Sequence, residues 1–186
     1  MSGVTTRLRG FTLIELLVVI SIIGLLSSIV LAALSTTKTK AQNARIQSDI
    51  HQWHLALELY YAKFGYYPLP STGNRSWACL GKYSDNACWT NGTGQSEDTV
   101  PLTGLDAQLS LVIAGLPPGQ VVQGSSNTYE GAIYQCRTLN SAGKCTEYWI
   151  YWIVSGKNAT CSEEGRVVNG NLQSNSVTEC QLDVTS

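Results

Sequence analysis

Charge is in short supply in this sequence. Asp, Glu, Lys and Arg together make up 13% of its 186 residues, and the formal net charge is -1. A chain so near neutrality has no Lys/Arg-rich face to neutralise a phosphate backbone, which argues against an electrostatic nucleic-acid binder. Also missing is any Cys-x-x-Cys pair with a histidine nearby, so a structural zinc site is set aside. The chain has no Gly-x-Ser-x-Gly elbow, phosphate-binding loop, dinucleotide fingerprint or His-Glu-x-x-His. No catalytic residue is assigned, and the sequence reads as that of a protein that is not an enzyme.

What the chain does have is one long apolar run. Residues 1–10 are polar, with Arg7 and Arg9 as their only charges, and Phe11 to Leu34 then reads FTLIELLVVISIIGLLSSIVLAAL. As a helix these residues would rise about 36 Å, enough to cross a hydrocarbon core of about 30 Å. Arginines precede the run, and no positive residue follows it until Lys38. That asymmetry favours a cytoplasmic N-terminus and an extracytoplasmic bulk. Six cysteines (Cys79, Cys88, Cys136, Cys145, Cys161 and Cys180) all follow the run, an even number that suits disulfides in an oxidising compartment.

Glu15 does not suit a plain lipid anchor, because an ionised carboxylate inside an apolar span costs on the order of 2–3 kcal/mol or more. A free α-amino group, created by cleavage just before Phe11, would neutralise it from the same helix or from an adjacent subunit. Two other readings of the segment compete. One is a secretory signal peptide cut near Leu31-Ala32-Ala33, for which a mid-run Glu is unusual. The other is an uncleaved anchor with Glu15 snorkelling to the headgroups.

Gly10-Phe11-Thr12-Leu13-Ile14-Glu15, followed by Leu16-Leu17-Val18-Val19-Ile20 and Gly24, resembles the class III signal of type IV prepilins and type II secretion pseudopilins. The resemblance implies cleavage between Gly10 and Phe11 by a prepilin peptidase, N-methylation of Phe11, and Glu15 as the assembly carboxylate. It also implies the partners: copies of the chain and other pilins in a helical filament, an inner-membrane assembly platform, and lipid before assembly. Family members often carry a proline where this chain has Ala32, so a kink there is not expected.

Beyond a polar collar at 35–40, Ile46, Ile50, Trp53, Leu57, Tyr60 and Phe64 recur at helical spacing, with Gln47, Asp49, Gln52, Glu58 and Lys63 on the other side. Gly65 offers a C-cap, and Pro68 and Pro70 forbid continuation. One helix of about 50 residues follows, its first half apolar and its second amphipathic. His51 and His54 share it at i, i+3 and read as surface histidines more readily than as a metal pair. Tyr60-Tyr61-Ala62-Lys63-Phe64-Gly65-Tyr66-Tyr67-Pro68 is similar to the helix end of type II secretion major pseudopilins.

From Leu69 onward Gly, Ser, Thr, Asn and Gln dominate. Residues 71–104 read as loop, and 105–116 as a short helix stopped by Pro117-Pro118-Gly119. Two strands, 131–139 and 144–154, flank a turn at Asn140. The second strand is apolar on both faces, which predicts a central position under the long helix. A turn centred between Asn140 and Ser141 would set Cys136 opposite Cys145. Ser155–Asn158 makes the next turn, and Cys161 begins a third strand. The favoured pairings are Cys79–Cys88, Cys136–Cys145 and Cys161–Cys180.

Major pseudopilins hold calcium in a C-terminal loop. Glu163, Glu164 and Asp183 are too sparse to map onto it, so no cofactor is assigned and calcium stays open. The sequons at Asn74, Asn91 and Asn158 are read as surface loop. The expected fold is α+β: a leader (1–10), a transmembrane or filament-core half-helix (11–34), an amphipathic half (35–65), and a disulfide-containing antiparallel head (66–186). The expected role is a structural subunit of a type IV pilus or type II secretion pseudopilus. The alternative is a minor pilin whose head binds a surface, DNA or a secreted client through Trp77, Tyr83, Trp89 and Tyr129.

Overall fold

The computed structural model describes residues 11–70, 77–81, 89–90, 105–162, 165–171 and 176–185. The chain divides into two compact units, Met1–Ala41 and Gln42–Ser186, and helix α1 (Leu13–Phe64) supplies residues to both. In the first unit the described apolar side chains from Phe11 to Leu34 are all exposed. The hydroxyls of Ser21, Ser28, Thr36, Thr37 and Thr39 donate to carbonyls three or four residues earlier, at 2.8–3.3 Å. Polar groups satisfied within the helix remove the main cost of placing them in a hydrocarbon environment.

In the second unit α1 ends where the sequence expects. Gly65 takes φ 77° and its N–H donates to Tyr61 O at 2.7 Å, closing the last turn in the left-handed conformation that glycine tolerates. A five-stranded antiparallel sheet has the order β1-β5-β6-β8-β7, with β1 at Trp77–Leu80, β5 at Ala132–Leu139, β6 at Cys145–Ser155, β7 at Arg166–Asn171 and β8 at Val177–Val184. A smaller sheet pairs β2 (Trp89–Thr90) and β3 (Val121–Gln123) with β4 (Thr128–Glu130). The fold is α+β.

β6 is the middle strand of five, and it is buried on both faces for separate reasons. Tyr148, Ile150, Trp152 and Val154 join Ile46, Ile50, Trp53, Leu57 and Tyr60 of α1 in the main core. Tyr151, on the opposite face, packs with Cys79 and Ile133 in a second small cluster bordered by Trp77, Trp89 and Trp149. Amides of α1 fix the helix to the rest of this unit. Gln42 Nε2 donates to Val121 O (2.6 Å), Gln47 Nε2 donates to Thr160 O (2.8 Å), and Asn43 both donates to and accepts from the Ser155 backbone.

Several sequence expectations need correction. The stretch read as loop, 71–104, contains β1 and β2. β1 is only four residues long and exists because Trp77↔Gln135 through Leu80↔Ala132 complete the edge of the sheet. The helix expected over 105–116 is only Leu105–Leu109 (α2). Leu105 and Leu109 fill the core, Leu111 is exposed, and the chain turns away through bonds from Val112 and Ile113 to Leu109 O.

Cys161 does not begin a strand, since β7 starts at Arg166, and β8 rather than β7 lies beside β6. Val177, Thr178, Cys180 and Gln181 are buried in β8, whereas Arg166, Val167 and Val168 of β7 are exposed, so the more buried strand takes the inner place. Gly131, just before β5, takes φ 73°, and a Cβ there would lie 2.3 Å from Leu80 O, so β1 can approach only a glycine.

Candidate assembly site

Thr12 is the N-cap of α1. Its backbone N–H donates to Glu15 Oε2 at 2.8 Å and its hydroxyl donates to the same oxygen at 2.7 Å. Glu15 N–H in turn donates to Thr12 Oγ1 at 3.3 Å, and Leu16 N–H donates to Thr12 O at 3.3 Å. This is a reciprocal capping box, in which side chains satisfy backbone donors that a helix start leaves orphaned. The sequence reading took Glu15 for its charge alone; the Thr-x-x-Glu spacing that signals a cap is present in Thr12-Leu13-Ile14-Glu15. Two of these bonds run from Thr12 to the carboxylate, and both end on Oε2.

Phe11 precedes the helix and is 80% exposed. Gly10, on the other side of the expected cut, lies outside the described residues, as does the rest of the leader. From Leu13 onward the helix presents a continuous apolar surface with Glu15 in its first turn, and it is long and apolar enough to cross a membrane. The family described as the prokaryotic N-terminal methylation motif matches residues 6–31, the segment that holds Gly10, Phe11 and the capping box. In this segment the chain is similar to type IV pilin-like proteins.

Among relatives, the chain is 42% identical over 72 residues to the type II secretion system core protein G of Escherichia coli (strain K12), covering 39% of this chain and 50% of that one. It is 40% identical over 67 residues to the core protein G of Klebsiella pneumoniae (36% and 48% covered), and 42% identical over 67 residues to that of Pectobacterium carotovorum subsp. carotovorum (36% and 43% covered). The chain thus spans about half the length of the curated relatives it matches. No solved structure matches it.

The other sequence-predicted residues lie in the second unit. Cys136 and Cys145 are bridged (S–S 2.04 Å), and so are Cys161 and Cys180 (1.98 Å). Cys79 is disulfide-bonded, and Cys88 lies outside the described residues. The hairpin geometry differs from the expected one. The turn runs from Asn140 to Lys144, with Gly143 at φ 71°, so Cys136 faces Tyr148 and Cys145 faces Leu139. The register shifts on either side of Thr138, and at that irregularity the two cysteine Cα atoms lie 6.0 Å apart.

His51 is exposed, while His54 Nδ1 lies 2.7 Å from the hydroxyl of buried Tyr148. Tyr148 and Tyr67 both donate to Glu58 Oε1, at 3.3 and 3.0 Å, a polar junction between α1 and the rest of its unit. Glu58 raises the Tyr67 and Tyr148 phenols, although burial is the larger cause for both. No group of three or more His, Cys, Asp or Glu able to hold a metal occurs among the described residues. Asp183 pairs with Arg166 at 2.9 Å, and Glu163, Glu164, Asn74 and Asn91 lie outside the described residues. Asn158 is exposed in a turn at φ 50°. Of the aromatics considered for binding, Tyr129 is buried, Trp77 and Trp89 are half-buried, and Tyr83 lies outside the described residues.

Proposed function

We propose that this chain is a structural subunit of a type II secretion pseudopilus or a related type IV pilus. In this reading a prepilin peptidase removes residues 1–10 at Gly10-Phe11 and methylates Phe11. The subunit waits in the inner membrane with its N-terminus cytoplasmic and its disulfide-bonded head outside, and then joins a filament through its apolar helix. The observation that carries the reading is the methylation motif over residues 6–31, set on a helix whose apolar side chains from Phe11 to Leu34 are exposed among the described residues. The curated relatives, named as type II secretion core proteins, favour the secretion filament over other pili.

Glu15 has two separable duties in this scheme. It caps α1 through Thr12, and its charge answers the amine of a neighbouring Phe11. Glu15→Gln separates them, because a glutamine at the third helical position still closes a capping box but carries no charge. The expected outcome is normal membrane insertion and a helix of unchanged content, with sheared filament yield down at least tenfold. Mass spectrometry should find a mature terminus at methylated Phe11 in the wild-type chain. Wild-type filament yield from Glu15→Gln would reduce the residue to a cap, and a chain still starting at Met1 would sink the processing scheme.

A further inference from the structure

Where α1 meets the sheet, four side chains able to bind a metal lie in one line of contacts. His54 and Glu58 stand one turn apart on α1, and both are half-buried. Tyr148 comes from β6, and Tyr67 lies just after the helix end. His54 Nδ1 lies 2.7 Å from the Tyr148 hydroxyl, which donates to Glu58 Oε1 at 3.3 Å; that oxygen also accepts from the Tyr67 hydroxyl at 3.0 Å. Around an octahedral centre with ligands about 2.0–2.1 Å away, neighbouring donors are about 2.9 Å apart. A metal ion would therefore replace the shared protons with little movement of the donor atoms. Counted as His, Cys, Asp and Glu alone, the cluster has too few ligands, and the two phenols bring it to four.

The phenols are held by contacts that do not use these oxygens. Tyr67 N–H donates to Cys145 O at 2.9 Å, and its ring stacks on Tyr61 and meets Tyr148 edge-on, with centroids 4.7 and 4.5 Å apart. Tyr134 backs the Tyr148 ring at 5.5 Å. Donors set by packing in this way lose little freedom when they bind. The cluster is also short of protons. Each phenol has one, both are given to Glu58, and the close contact between Tyr148 and His54 then needs a proton from the imidazole.

We propose that His54, Glu58, Tyr67 and Tyr148 form a binding site for a hard trivalent cation, ferric iron. Binding releases the two phenol protons to solvent, and no electron moves. Two phenolates and one carboxylate then carry three negative charges, which a trivalent ion cancels, whereas a divalent ion would leave one charge buried and unpaired. Oxygen donors suit a hard ion, and imidazole is an established iron ligand. Burial, and next to it the charge of Glu58, disfavours ionised phenols at Tyr67 and Tyr148, and a bound cation opposes both effects. Half-buried His54 and Glu58 give the ion its way in, and water completes its coordination. Bound there, the ion would staple α1 to β6 and to the chain beyond the helix, whether or not the chain enters a filament.

The test adds ferric nitrilotriacetate to the full, oxidised chain in micelles and removes the excess by gel filtration. Expected are stoichiometric retention of iron, a phenolate-to-iron charge-transfer band in the visible, and a raised thermal midpoint. Tyr67→Phe/Tyr148→Phe should abolish the band, and Glu58→Gln should weaken retention about tenfold or more. His51→Ala, on the exposed side of the same helix, should leave both unchanged. Iron retained without the band is an adventitious ion only and overturns the proposal, as does a band that survives loss of both phenols. Equal retention of zinc(II) offered in place of iron overturns the trivalent assignment. Should the double variant have a lower midpoint without iron, Tyr67→Phe alone is read, with about tenfold weaker retention expected and unchanged retention again overturning the site.

Discussion

Asn43 offers the most direct measure of what holds α1 to its sheet. Its Nδ2 donates to Ser155 O at 2.9 Å, and Ser155 N–H donates back to its Oδ1 at 3.0 Å, both in half-buried surroundings. Asn43→Ala removes both bonds, each with a net value of about 1 kcal/mol. Ser155 ends the central strand β6 beneath the helix, so its freed amide and carbonyl regain water incompletely, which adds roughly 1–2 kcal/mol. The total is about 3–4 kcal/mol. The unit from Gln42 to Ser186 holds about 145 residues, for which 1 kcal/mol moves the thermal midpoint by about 3 °C, so a fall of roughly 9–12 °C is expected. The assay is thermal unfolding of the full chain in micelles, followed by tryptophan fluorescence, since Trp53 and Trp152 are fully buried. Asn43→Asp should also destabilise, because an ionised carboxylate accepts from Ser155 N–H but cannot donate to its carbonyl. A midpoint shift below about 2 °C for Asn43→Ala would refute the clamp.

Two further outcomes follow from the second unit. Replacing Cys161 and Cys180 together by Ser opens a loop of sequence separation 19 and should cost about 3 kcal/mol in urea unfolding, whereas the Cys136/Cys145 pair, at separation 9, should cost about half a kcal/mol less. A loss under about 1 kcal/mol for the longer loop would contradict that account. Burial pushes the Asp49 carboxyl up from 3.8, against the opposing effects of the Gln120 side chain and Arg45, and its Oδ2 is buried without a hydrogen-bond partner. A carboxyl raised in the folded state favours folding below its unfolded value and opposes it once pH passes the folded value. Asp49→Asn should therefore raise the thermal midpoint at about pH 7, with the gain vanishing as pH falls to about 4. A gain that is absent at neutral pH, or independent of pH, would show that the carboxylate is not penalised there.

The sequence by itself determined the long helix and its ends, the exposed apolar run, the central two-faced strand and the hairpin that precedes it. Each is written in a local signal: an uninterrupted apolar stretch, a 3.6-residue period, Gly65 followed by prolines, and β-branched and aromatic residues on both sides of 145–155. Tertiary structure alone decided the rest. β1, β2, β3 and β4 are two to four residues long, too short to carry a period, and they form because a neighbouring strand offers its edge. β8 displaced β7 from the place beside β6 because burial, not chain order, sets strand order. The irregularity at Thr138 brought Cys136 to Cys145 although the register does not oppose them. The most informative case is the second half of α1, where the sequence shows charges opposite the core face but cannot show that Asp49, Glu58 and Lys63 turn back into the fold. Which way a long side chain bends depends on distant partners, Leu111 for Lys63 and Tyr148 for Glu58, and only the assembled fold brings them to the helix.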